Sequence, residues 1–292
     1  MTKLIHQIKT HFCCFISTST LIVLFLGSCT SSPSKIRQIE DFGKNWKFHL
    51  GDVANGQEPG LDDSQWRGLG LPHDWSIEGE FSKDHPATPA GGALPGGVAW
   101  YRKTFIVPES HQEKLVFIEF DGVYRNSEVW INGNSLGQRP YGYSSFRYEL
   151  TPFLKYRDEK NLLAVRVDNS QQPNSRWYSG SGIYRNVWLV TTEKIFVDHW
   201  GTFITTPEVS QEYAKVSVQT QVRNTTPEDQ PVMLKTIIYD AAGKKVSAVA
   251  VDRVIAKNSV AQIDQHIVVR NPTLWSLEDP YLPEGCLLYV SE

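Results

Sequence analysis

The sequence predicts an all-β fold, a jelly-roll-like β-sandwich followed by an immunoglobulin-like β-sandwich. Three observations predict it. Short apolar stretches alternate with polar residues at a period of two, which turns one face of a strand to a core and the other to solvent. Turn residues punctuate these stretches at close intervals, the pattern of a chain that folds back on itself many times. A helical period of 3.6 is nearly absent after Cys29.

The chain opens differently. Lys3 and Lys9 precede an apolar run from Ser19 to Leu26. A basic start, a short apolar middle and small residues before a break describe a secretory signal over residues 1–28. The run is shorter than the roughly 20 apolar residues that a permanent membrane helix requires. Leu26-Gly27-Ser28-Cys29 resembles a bacterial lipobox, in which cleavage precedes the cysteine and the cysteine takes a lipid. Cys29 is thus the expected lipidation site, and the expected product is an exported lipoprotein, periplasmic or at the cell surface, that meets the membrane only through its anchor. Residues 29–39, with their "TSSPSK" stretch, read as a tether. Cys13 and Cys14 leave with the signal, so Cys286 alone would keep a free thiol and no internal disulfide is expected.

The first sandwich is expected over residues 40–192. "WYRKTFIV" (100–107), "KLVFIEF" (114–120), "SEVWIN" (127–132), "SFRYEL" (145–150), "NLLAVRV" (161–167) and "YRNVWLVTT" (184–192) each read as a strand. Asn132-Gly133-Asn134 is a hairpin signal, since Asn and Gly tolerate the positive φ of primed turns. From about Lys194 the series tightens into a second sandwich, expected over residues 193–292. "AKVSVQTQV" (214–222), "VMLKTIIYD" (232–240), "KVSAVAVDRV" (245–254) and "VAQIDQHIVV" (260–269) alternate cleanly, with Val216, Val218, Thr220 and Val222 on one face. "DAAGKK" (240–245) is a turn, and the chain closes on the apolar run "CLLYV".

Composition narrows the function. A net charge of −3 offers no basic surface for nucleic acid. The histidines and cysteines lack metal-ligand spacing, and no cofactor motif is present; Ser179-Gly180-Ser181-Gly182 lacks the Lys and helix start of a phosphate loop. His73-Asp74 could belong to an acid–base relay, but neighbours on an extended chain point to opposite faces, and a structural role is the plainer expectation. The loop bearing Arg176, Trp177 and Tyr178 has the chemistry of a saccharide site: aromatic faces for the CH side of a sugar and a guanidinium for its hydroxyls. Packing against a neighbouring domain explains the same residues equally well.

"LPHDWSI" (71–77), "LPGGVAWYRKTF" (94–105), "FDGVYRNSEVWINGNSLGQRPYGYSSFRYELTPFL" (120–154) and "SRWYSGSGIYRNVWL" (175–189) together resemble the N-terminal sugar-binding domain of glycoside hydrolase family 2, in its bacterial β-galactosidase-like branch. The segment ending in "LWSLEDPYL" resembles that family's immunoglobulin-like domain. The resemblance implies a glycoside ligand, with Arg176, Trp177, Tyr178 and Asp74 at the mouth of an active site. It places catalysis on a further (β/α)8 barrel bearing two glutamates, one of them after an Asn. No Asn-Glu dipeptide occurs in this chain, so no catalytic residue is expected here and the barrel is expected to be absent. The alternative expectation is a free-standing, lipid-anchored carbohydrate-binding module.

Overall fold

The computed structural model describes residues 37–280 and the backbone of residues 286–291. The signal segment, Cys29 and the tether up to residue 36 lie outside the described residues.

The first sandwich runs through β1 (Arg37–Asp41), β2 (Trp46–Leu50), β3 (Arg67–Leu69), β4 (Gly97–Ile106), β5 (Leu115–Phe120), β6 (Ser127–Ile131), β7 (Asn134–Arg139), β8 (Phe146–Glu149), β9 (Lys160–Asn169) and β10 (Val187–Thr192). Four strands form one sheet in the order β1-β10-β5-β8, and six form the other in the order β3-β2-β4-β9-β6-β7. Alternation explains why the sheets face each other. Val116, Ile118, Phe120, Val187 and Leu189 of the smaller sheet share one buried cluster with Trp46, Tyr101, Val129, Leu163 and Val165 of the larger. The Trp46 indole donates to the Phe42 carbonyl at 2.8 Å, so its polar edge is satisfied inside that core. Asn132 and Gly133 both take positive φ, which permits the two-residue hairpin joining β6 to β7. β1 starts at Arg37, inside the last three residues assigned to the tether.

The second sandwich comprises β11 (Ile195–Val209), β12 (Tyr213–Asn224), β13 (Gln230–Tyr239), β14 (Lys245–Ile255), β15 (Ser259–Arg270) and β16 (Cys286–Ser291). Its sheets are β11-β12-β15 and β14-β13-β16. Val222 and Ile263 of one meet Val232, Leu234 and Ile255 of the other in a smaller core. The closing apolar run is a strand: the backbone of residues 286–291 pairs antiparallel with β13.

The sandwiches meet through apolar contact and paired charge. Phe117 and Val190 of the first pack with Phe196 of the second. Asp198 accepts from Arg147 across the junction at 3.1 Å and from Arg223 Nε at 3.0 Å. Burial works to raise the Asp198 pKa, but Arg223, the His199 amide and Arg147 hold it below the ordinary carboxylate value.

Candidate functional site

The site stands where the loop between β9 and β10 returns along the sandwich. Its second half is held from within. Asp74 Oδ1 accepts the Ser181 amide at 2.8 Å and the Ser76 amide at 3.0 Å, while Oδ2 accepts the Tyr178 hydroxyl. Buried Ser181 receives Asn169 Nδ2 at 2.7 Å and the Ser76 hydroxyl at 2.6 Å. Gly182 and Tyr124 exchange backbone bonds at 2.8 and 2.9 Å. Gly182 has a φ of +125°, and a Cβ there would meet Tyr101 Oη at 2.4 Å and the His73 carbonyl at 2.7 Å. Only glycine fits that close approach. Burial, followed by the bond to Asp74, raises the Tyr178 pKa above the usual phenol range.

His73 and Asp74 part company as extended neighbours do. The His73 ring pairs through Nδ1 with the Tyr101 hydroxyl at 2.7 Å and through Nε2 with Glu78 at 3.2 Å. Burial lowers its pKa, against the opposing pull of Glu78. The two side chains serve different partners, the arrangement of a structural pair.

The first half of the same loop faces outward. Arg176 and Trp177 line an open cleft of about 530 Å³, together with Tyr124, Arg125, Tyr141 and Tyr143. Trp177 is 61% exposed and donates from Nε1 to the Tyr143 hydroxyl at 3.2 Å. The tyrosines pack in series, Tyr124 and Tyr143 tilted with centroids 5.2 Å apart and Tyr141 and Tyr143 edge to face with centroids 5.7 Å apart. Gly142 lets that segment lie on the Tyr124 ring, since a Cβ there would meet Cδ2 at 2.3 Å. The Tyr184 hydroxyl fixes it further, donating to the Gly142 carbonyl at 2.9 Å.

The structure therefore brings Arg176 and Trp177 together in the cleft, while Tyr178 and Asp74 bond to each other outside its lining. Sequence reasoning did not single out Tyr124, Arg125, Tyr141 and Tyr143. The available signal was "RPYGY" (139–143), a Gly/Pro stretch with two aromatics like the one at 175–182. No aspartate or glutamate lines the cleft. Among the described residues, no cluster of His, Cys, Asp or Glu has the makeup of a metal site.

Comparison with known proteins gives this architecture a family. The pattern described as "Glycosyl hydrolases family 2, sugar binding domain" matches residues 82–193, and the pattern "Glycosyl hydrolases family 2" matches residues 196–282. The chain belongs to glycoside hydrolase family 2. Among its curated relatives is the beta-galactosidase BoGH2A of Bacteroides ovatus, 50% identical over 258 residues. That alignment takes in 88% of this chain and 30% of the relative. A putative beta-glucuronidase of Formosa agariphila is 40% identical, over 83% of this chain and 22% of its own length. A solved family 2 structure from Bacteroides cellulosilyticus superposes with a TM-score of 0.84 at 36% identity, covering 87% of this chain and 33% of that one. The chain thus spans about a third or less of these family 2 proteins and corresponds to the N-terminal domains of a glycosidase.

Proposed function

We propose that this chain is the non-catalytic, glycoside-recognising part of a β-galactosidase-like family 2 hydrolase. The observation that carries the proposal is the cleft: three exposed aromatics, Tyr141, Tyr143 and Trp177, over the buried Tyr124 ring, and two guanidiniums around one opening, with no carboxylate among its lining residues. Aromatic faces with convergent donors suit a sugar ring. Retaining glycoside hydrolysis needs two carboxyl groups about 5–5.5 Å apart across the scissile bond, which this cleft does not supply. Arg176 and Trp177 contact the glycoside in this reading, and Asp74 and Tyr178 position the loop that presents them.

Two measurements on the purified full chain test the proposal. Titration calorimetry with a β-galactoside-bearing oligosaccharide should show binding that Trp177→Ala removes. Aryl β-galactoside and aryl β-glucuronide should not be turned over. Binding that survives Trp177→Ala, or hydrolysis that disappears on substituting a residue of this chain, contradicts it.

Export and anchoring form part of the same proposal. They are supported by Lys3, Lys9, the apolar run and the Leu-Gly-Ser-Cys sequence ending at Cys29. Cys29→Ala should abolish incorporation of labelled fatty acid in a bacterial host. Continued labelling of the variant removes the anchor from the reading.

A further inference from the structure

The charge of the cleft goes beyond general sugar recognition. Arg67, Arg102, Arg147, Arg157 and Arg166 of the first sandwich each hold an aspartate or glutamate. Arg125 and Arg176 do not. Among the described residues, neither guanidinium has a hydrogen-bond or ion-pair partner, yet both line the same cleft. Arg125 is also half-buried. The remaining polar groups of the opening are largely committed. The Tyr124 hydroxyl donates to Asn174 Oδ1 at 3.1 Å, Asn174 Nδ2 donates to Asn169 Oδ1 at 2.7 Å, and the Tyr143 hydroxyl receives Trp177.

We infer that the cleft selects an anionic saccharide, one carrying a carboxylate or a sulfate ester, over a neutral one. This rests on the saccharide reading of the cleft. Guanidinium presents a planar fork of donors that matches carboxylate and sulfate oxygens, and such charge-assisted bonds are roughly twice as strong as neutral ones. Two such groups with no carboxylate among the lining residues favour net negative charge in the ligand, because nothing within the opening neutralises them. Trp177, Tyr141 and Tyr143 supply the apolar surface for the CH face of the ring, which a free inorganic anion cannot use.

The test titrates the full chain with five probes: methyl β-D-glucuronide, galactose 6-sulfate, methyl β-D-galactoside, sodium sulfate and sodium acetate. At least one anionic sugar should bind about tenfold more tightly than the neutral galactoside and than either free anion, the value of one added charge-assisted hydrogen bond. Which of the two binds identifies the anion as carboxylate or sulfate ester. Arg125→Gln and Arg176→Gln should each lower that affinity to the level of the neutral sugar, with unchanged circular dichroism and unfolding midpoint. Added salt should weaken the anionic sugar more than the neutral one. Equal affinity for neutral and anionic sugars, indifferent to both arginine variants, overturns the inference while leaving sugar recognition intact. Inorganic sulfate binding as tightly as the acidic sugars overturns it as well, by reducing the cleft to an anion site. Failure of every sugar to bind brings down the saccharide reading itself.

Discussion

Residues 176–177 and residues 179–183 belong to one loop, yet they are built on opposite principles. In the second group, backbone amides and carbonyls and the Ser181 hydroxyl are engaged by Asp74, Ser76, Asn169 and Tyr124. In the first, Trp177 stands mostly exposed and Arg176 has no partner among the described residues. The difference teaches how a β-sandwich presents a recognition surface. A loop long enough to reach a ligand costs conformational entropy when it orders. Anchoring one half through a buried polar network reduces that cost and leaves the other half free for contact.

Substitutions should separate the two halves by their effect on stability. Gly182→Ala should be the most damaging, at about 4 kcal/mol, because it adds strain at positive φ to a clash with a backbone carbonyl. Chemical denaturation measures it, and a loss below about 1 kcal/mol would mean that this half is not tightly held. Asp74→Ala should cost about 3 kcal/mol by stripping the acceptor from two amides and a phenol, one of those amides belonging to buried Ser181.

Tyr178→Phe should cost about 1 kcal/mol near neutral pH, the value of one hydrogen bond. It should also change the alkaline limb of stability. The folded pKa of Tyr178 is raised, first by burial and then by Asp74. Its contribution is therefore fully present below the unfolded tyrosine pKa of about 10 and is lost as pH rises above that value. Unfolding midpoints of the wild type and Tyr178→Phe should converge as pH rises through that window. Parallel curves would show that Tyr178 is not held by Asp74. Trp177→Ala and Arg176→Gln should each shift stability by no more than about 0.5 kcal/mol, since surface changes outside a network do little.

The fold was legible because alternation carries the same information in sequence and structure. Val218, Thr220 and Val222 of β12 turn inward, as their spacing predicts. β11 escaped notice for a physical reason. It is an edge strand with register shifts after Val197 and Thr205, and it exposes Phe203 and Ile204 together, so a single period does not run through it. β3 spans only three residues and leaves too short a pattern to read. In the site, the sequence marked Arg176, Trp177 and Tyr178 as one cluster because they are adjacent. Their division between cleft and anchor depends on Asp74, about a hundred residues earlier, and local pattern does not carry a pairing of that range. Tyr141 and Tyr143 reach the same opening from a different loop and could be joined to Trp177 only in three dimensions.

Hydrogen exchange with and without a bound saccharide tests the two-part loop most directly. Without ligand, the amides of Ser181 and Gly182 should already be protected, because each has an acceptor within the fold. Saturating sugar should slow exchange at least about tenfold across residues 141–143 and 175–177 while leaving residues 181 and 182 unchanged. Protection that rises equally in both halves would contradict the account. The anchor would then form only with ligand, and the loop would be ordered by the sugar it binds.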